Sequence, residues 1–345
     1  HLSWHAAFLV NIPLMALVLI VGLFILPEIH VIGNGPWDIP AALISLVGMA
    51  SLMWGIKRLA AEMNVADIAA LTAIMVGIVC IVIFVVRALR TNTPLIDVTL
   101  FRNRMFTGGV LVALGSMFAM AALLFLLAQW LQLVDGSTPL ESGIKLLPLA
   151  IASLIAGASA PALAMRFPAH KVLVIGLLIA AFAMLMLLPF KGSLTYIPVA
   201  ISSALVGVGT GVLAIGSAAI MNSTPPTKAS SAAAIEEIAY DLGNVLGVAI
   251  MGSVASVVYR LGLNAQALIE SGLDRSMVDQ AMQSYAAAVT IAQESGVAEL
   301  IVEGSRSFSD SIVITSVVGG VVMLLVAYLA YRLIPKDLDI TESEH

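Results

Sequence analysis

Residues 230–259 read SSAAAIEEIAYDLGNVLGVAIMGSVASVVY, a run rich in small and apolar side chains and long enough to cross a bilayer. It nevertheless carries three carboxylates, Glu236, Glu237 and Asp241. One charge at bilayer depth costs roughly 2.5–3.5 kcal/mol on insertion scales, so three of them in one span need a reason. Glu237 and Asp241 are four residues apart and on a helix share one face, about 5–6 Å from each other. Glu236 is turned about 100° from Glu237, and from a helix start near Ser230, Glu237 lies roughly 10 Å in. Burial and like-charge repulsion both favour the neutral form of a carboxyl group. Such a pair is suited to hold a proton or an organic cation and to exchange one for the other. Two plainer readings stand beside this one. Glu236 sits either in the membrane or at the interface as a first-turn helix acid. Glu237 and Asp241 form either an exchange site or a structural polar cluster tied to a neighbouring helix.

The chain around this stretch is of one kind. Of 345 residues, 60% are hydrophobic and 11% charged, against about 25% charged in a soluble domain; mean hydropathy is +1.05. The fold class is therefore an all-α polytopic membrane protein. Only helices or closed barrels satisfy backbone polar groups in lipid, and these apolar runs lack the alternation of barrel strands. The net charge of −5 says little about partners. The single cysteine, Cys80, lies in an apolar run, reads as a small buried hydrophobe and excludes an intrachain disulfide.

Runs of about 20 apolar residues, the length a spanning helix needs, occur at 6–27, 39–59, 68–86, 106–134, 143–165, 172–190, 196–221, 231–259 and 312–333, nine in all. Basic residues near span ends set the orientation. The loop at 87–105 carries Arg87, Arg90, Arg102 and Arg104. Placing it in the cytoplasm puts Arg166, Lys171, Lys228, Arg332 and Lys336 there too, and Lys57, Arg58, Lys145 and Lys191, with three Arg in or beside one long loop, on the other side. The N-terminus is then outside and the tail at 336–345 cytoplasmic. Trp4, Trp37 and Trp130 sit near span ends, as interfacial aromatics do. The chain opens on HLSWHAAFLVNIP with no signal peptide, as a segment that begins between two membrane helices.

The long loop at 261–310 carries a pattern of its own. Val278, Met282, Tyr285, Val289 and Ala292 recur at spacings of four and three, which predicts an amphipathic helix. Ser276 and Asp279 resemble a capping box at its start, Gly296 ends it, and Val297, Leu300 and Ile301 give a short second helix. Together they predict an external hairpin. Gly243 and Gly247, and the cluster Gly207, Gly209, Gly211 and Gly216, have the spacing at which helices approach closely. The cluster lacks the dinucleotide-binding spacing and has no strand before it. Pro13, Pro40, Pro148, Pro161 and Pro198 predict kinks or breaks in or at the ends of spans.

Several chemistries are excluded. The histidines, His1, His5, His30, His170 and His345, fall in no metal-binding spacing. No nucleophile elbow or phosphate loop occurs, so the chain is no enzyme and no ATP-driven pump, and no cofactor is called for. No basic face exists for nucleic acid. The sequon at Asn222 falls in a loop placed inside the cell and reads as chance. Asn11, Gln129 and Gln132 either line a cavity or bond a neighbouring helix. Tyr240, beside Asp241, either stacks on a cationic ligand or belongs to the core.

Several segments together resemble the 14-helix drug:proton antiporters of the major facilitator superfamily. SWHAAFLVNIP at 3–13 is similar to the start of that family's helix 6, and PLIDVTLFRNRMF at 94–106 to the cytoplasmic segment before its helix 9. LQLVDGSTPLESGIKLLP at 131–148 resembles the connection between helices 9 and 10. AAAIEEIAYDLGNVLG at 232–247 resembles helix 13, most closely of the QacA and SmvA type, and RLIPKDLDI at 332–340 fits the same type. The resemblance implies that 1–27 holds the last helix of an N-terminal bundle and 38–90 two linker helices. It makes 106–335 a six-helix C-terminal bundle with an extracellular hairpin at 261–310. It implies export of lipophilic cations, such as quaternary ammonium antiseptics and dyes, driven by protons moving inward across a bacterial cytoplasmic membrane. Glu237 and Asp241, with Glu236, would bind proton and cation. Helices 1 to 5 of the family have no counterpart here, and alternating access needs two bundles, so transport needs that N-terminal half. The alternative is a non-transporting membrane partner or assembly protein, docking through the hairpin. An intramembrane aspartyl enzyme fits poorly, because its two acids would face each other from two helices.

Overall fold

The computed structural model describes Leu9 and residues 11–25, 38–62, 66–91 and 94–335. Among them every regular element is helical. The chain divides into two units, 1–36 and 37–345. In the first, α1 (Asn11–Ile25) is a helix of 15 residues with no buried side chain. That is shorter than the 6–27 run, whose ends, with Trp4, Trp37 and the tail at 336–345, lie outside the described residues.

The second unit opens with an antiparallel hairpin, α2 (Ile39–Glu62) and α3 (Ile68–Arg90). Its seam is made by glycine: a β-carbon on Gly77 would stand 2.8 Å from the Leu52 nitrogen, and one on Gly55 2.8 Å from the Ala70 oxygen. Half-buried Cys80 lies against Gly48 in the same seam. Ion pairs clasp both ends. Asp38 meets Arg87 at 2.9 Å, and Asp67, which also caps α3, meets Arg58 at 2.6 Å.

A 3-10 turn (Val98–Arg102) leads into the bundle: α4 (Arg104–Leu133), α5 (Pro139–Lys145), α6 (Leu147–Arg166), α7 (Ala169–Leu185), α8 (Tyr196–Gly211), α9 (Leu213–Asn222) and α10 (Ala229–Gly262). Three short helices follow, α11 (Ala265–Glu270), α12 (Arg275–Ala281) and α13 (Tyr285–Ser295), before α14 (Ala298–Leu333). Eight segments among the described residues are long and apolar enough to cross a membrane. They match eight of the nine expected runs. Two are interrupted: Pro139–Arg166 turns at Leu146, just before Pro148, and Tyr196–Asn222 turns at Val212. The second break has no proline and follows the glycine cluster instead. Pro161 sits inside α6 without dividing it.

Several local expectations are corrected. The last span begins at Ala298, not 312, because hydropathy records the apolar stretch, whereas the helix continues through Glu299, Glu303, Arg306 and Asp310. That polar extension absorbs Leu300 and Ile301, so they form no separate second helix. The amphipathic helix of the loop is two helices, α12 and α13, broken before Ser284, whose hydroxyl caps α13 by accepting from the Ala287 N–H. Asp274, not Ser276, holds the first cap position. The periodicity nonetheless reads the buried face correctly, since Val278, Tyr285 and Ala292 are all buried, and Gly296 ends α13 in the left-handed conformation at φ +74°. Trp130, near the end of α4, is buried within the bundle, its indole donating to the Ser309 hydroxyl at 3.0 Å.

α4 is the central post, packed against α8, α9, α10 and α14. Gly243 and Gly247 set its distance from α10. Added β-carbons would stand 2.4 Å from the Leu114 oxygen and 2.5 Å from the Phe118 oxygen. On α8, Gly207 and Gly211 close on α6 while Gly209 closes on α7, and Gly216, on α9, faces Val112 of α4. With lipid as apolar as any side chain, such close approach is what holds membrane helices together. Gly243→Ala must therefore separate α4 from α10 and lower stability by about 1–3 kcal/mol, the usual cost of overpacking. Gly143→Ala, with nothing within 4 Å of its new methyl, is expected to be neutral or slightly stabilising. Thermal melting of both variants in detergent checks the contrast.

Candidate functional site

α10 presents its three acids unequally. Glu236 shares the face of Gly243, which packs on α4; it is only 5% exposed, and its carboxylate accepts the hydroxyl of Tyr240 one turn on. Tyr240 packs at the edge of a small core made by Leu100, Phe106, Ile220 and Ile235. Of its two sequence readings, core packing is the arrangement seen. Glu237 and Asp241 point to the other side and are exposed. The described residues alone form no enclosure around them. Helical spacing continues their stripe through Asn244 and Val248 to Gly252, Ala255 and Tyr259, and its exposure fades along the way, from open at Asn244 to buried at Tyr259.

The loop before α4 fixes the start of α10. Lys228 meets the Asp97 carboxylate at 2.7 Å, and the Asp97 N–H donates to the Ser231 hydroxyl at 3.1 Å. Burial works against the Asp97 carboxylate, but hydrogen bonds from Lys228 and Thr99 outweigh it and hold the group below its ordinary range. Asn103 caps α4 and donates to the Ser223 carbonyl after α9. The PLID and LFRNR segments therefore act as a brace between α4, α9 and α10.

The far end of the stripe opens into a cavity of about 540 Å³ between α2, α4, α10, α13 and α14. Its inner wall is aromatic. Tyr285 and Phe308 stack with centroids 5.6 Å apart, and Tyr259 meets Phe308 edge-on at 6.3 Å. The Tyr259 hydroxyl donates to the Ala281 carbonyl at 3.1 Å, which ties α10 to the short helices, and burial pushes the Tyr285 phenol above its ordinary range. Of the polar residues singled out from sequence, Gln129 lines this cavity, whereas exposed Gln132 does not. Asn11 begins α1 in the other unit. Sequence reading missed Asn244, Tyr259 and Phe308. The spacing from Asp241 was the available signal for the first two; Phe308 gave none, because it comes from a distant helix. Among the described residues no group of three His, Cys, Asp or Glu side chains is placed to hold a metal ion.

Membrane-length helices held by glycine seams, with one acid-bearing helix against their central post, define a polytopic α-helical membrane protein. A family model described as the Major Facilitator Superfamily matches residues 1–248, and the chain belongs to that superfamily. It is 32% identical over 331 residues to the multidrug efflux pump LfrA of Mycolicibacterium smegmatis, covering 95% of this chain and 64% of that protein. It is 28% identical over 294 residues to the methyl viologen resistance protein SmvA of Salmonella typhimurium, covering 85% and 58%. The crystal structure of a bacterial homologue of the human lysosomal transporter Spinster, inward-facing and occupied, superposes with a TM-score of 0.50 at 18% identity, covering 85% of this chain and 65% of that one. At that identity the likeness concerns the fold alone. The chain thus spans less than two thirds of the length of each of these relatives.

Two outcomes follow for the brace and the aromatic wall. Asp97→Asn should cost about 0.5–1 kcal/mol near neutral pH, the range of a partly exposed pair. Because the folded carboxyl titrates below its unfolded value of about 3.9, that stabilisation is present above this pH and disappears as pH falls through the folded value. Melting curves of wild type and variant should therefore differ at pH 7 and converge in acid. Phe308→Ala should cost about 3–5 kcal/mol by leaving a void between two tyrosines, whereas Tyr259→Phe, losing one hydrogen bond, should cost about 1 kcal/mol. The same melting assay ranks the two.

Proposed function

We propose that this chain forms the greater part of a proton-coupled exporter of lipophilic cations, quaternary ammonium antiseptics and dyes among them, in a bacterial cytoplasmic membrane. The observation that carries the reading is the exposed stripe on α10 formed by Glu237, Asp241, Asn244 and Val248. The names of the relatives support the substrate class, methyl viologen being an organic cation. Glu237 and Asp241, with buried Glu236 behind them, attract the cation when ionised. At about 4 Å and an effective dielectric near 20, one carboxylate contributes about 4 kcal/mol of attraction to a cation. A proton arriving from outside cancels much of that, and since 1.4 kcal/mol is tenfold in affinity, the guest leaves.

In this arrangement α2 and α3 are the linker pair, residues 106–335 form the C-terminal bundle, and α11 to α13 lie outside the cell. The arginines of the loop at 87–105 and the tail at 336–345 lie in the cytoplasm, the N-terminus lies outside, and 1–27 closes an N-terminal bundle. The rest of that bundle would come from the part of its relatives' length that this chain does not span, and it would cover the α10 stripe.

The test is ethidium efflux from energised cells of a drug-sensitive host expressing the complete open reading frame that contains this chain. Glu237→Gln and Asp241→Asn are each expected to slow efflux at least about tenfold, and a protonophore to stop it. Efflux at the wild-type rate in both variants would remove the assignment.

A further inference from the structure

The cavity at the end of the stripe has a charge pattern that does not suit a cation. Lys57, from α2, lines it, and among the described residues no carboxylate does. The Lys57 ammonium has no ion-pair or hydrogen-bond partner among the described residues, in contrast to Asp38, Asp67 and Arg87, which are paired on the same hairpin. Ser253 and Ser256 line the same space from the outer part of α10, and Asn244 lines it about three turns deeper; none has a side-chain hydrogen bond among the described residues. Across from α10 the wall is apolar, formed by Phe125 and Leu126, and the ring of Tyr259 on α10 adds to it. A volume of about 540 Å³ falls within the ~300–1,000 Å³ of small-molecule sites, which are mostly apolar with a few convergent polar groups. Lys57 lies near the end of the span Ile39–Leu59, so the cationic corner sits at headgroup level and the apolar walls run inward.

We propose that this cavity binds an amphipathic anion, with its carboxylate or phosphate on Lys57 and its chain against Phe125 and Tyr259. The occupant is either a phospholipid of the surrounding leaflet or a free long-chain acid; both present the same chemistry. The assignment rests on the cavity alone and stands apart from the transport reading.

Thermal melting of the purified protein in a neutral detergent, titrated with phosphatidylglycerol, phosphatidylcholine or palmitate, tests it. Phosphatidylglycerol or palmitate should raise the midpoint, and phosphatidylcholine should do so far less. Lys57→Gln should raise the half-maximal concentration about tenfold or more, Lys57→Arg should keep it near wild type, and Val248→Trp, which fills the cavity, should abolish the shift. A response to phosphatidylglycerol but not palmitate assigns the site to membrane lipid, and the reverse assigns it to a free acid. Equal shifts with phosphatidylcholine and phosphatidylglycerol, or an unchanged titration in Lys57→Gln, would overturn the proposal. Exposed Lys57 bears no packing duty, so its variants are expected to fold.

Discussion

A membrane-length helix carrying three carboxylates has to place each of them, and the close contact between α10 and α4 decides how. Gly243 and Gly247 bring the two backbones together, and that contact fixes the rotation of α10 about its own axis. With the glycine face turned to α4, Glu236 is carried into the protein and must find a donor, which Tyr240 supplies. The same rotation sends Glu237 and Asp241 to the uncovered side. A larger residue at either glycine would disturb the disposition of all three acids, although it touches none of them.

The rest of the unit supports that placement from both ends. At one end Asp97, Lys228 and Ser231 join the loop before α4 to the start of α10, with a small apolar core beneath them. At the other end the rings of Tyr259, Tyr285 and Phe308 join α10, α13 and α14. Between these anchors α10 runs 34 residues and offers one polar stripe. Its acidic part and its cavity part differ in chemistry: carboxylates in the open at one end, a lysine and hydroxyls over an apolar hollow at the other.

The helical boundaries show where reading by hydropathy succeeds and where it stops. Eight runs were legible because lipid demands about twenty apolar residues per crossing, a constraint written directly in composition. The start of α14 at Ala298 was not legible, because a helix is free to continue past the membrane with polar residues once Leu300 and Phe308 have partners to bury against. The division of α12 from α13 turned on one serine cap, a local competition that the four-three periodicity does not record. The break at Val212 follows Gly207, Gly209 and Gly211, on which neighbouring helices close, and no proline announces it.

By itself the sequence determined that this is a chain of membrane helices, that one of them carries a costly acidic cluster, and that its glycines are seams. Those follow from transfer free energies and from helical spacing, which any stretch of sequence displays locally. Only the tertiary structure decided which acid is buried and which two are open, that Gln129 reaches a cavity and Gln132 does not, and that Tyr259 and Phe308 build a wall with Tyr285. Each of these depends on the rotation of one helix against another, set by contacts between residues far apart in the chain, more than a hundred positions between α4 and α10.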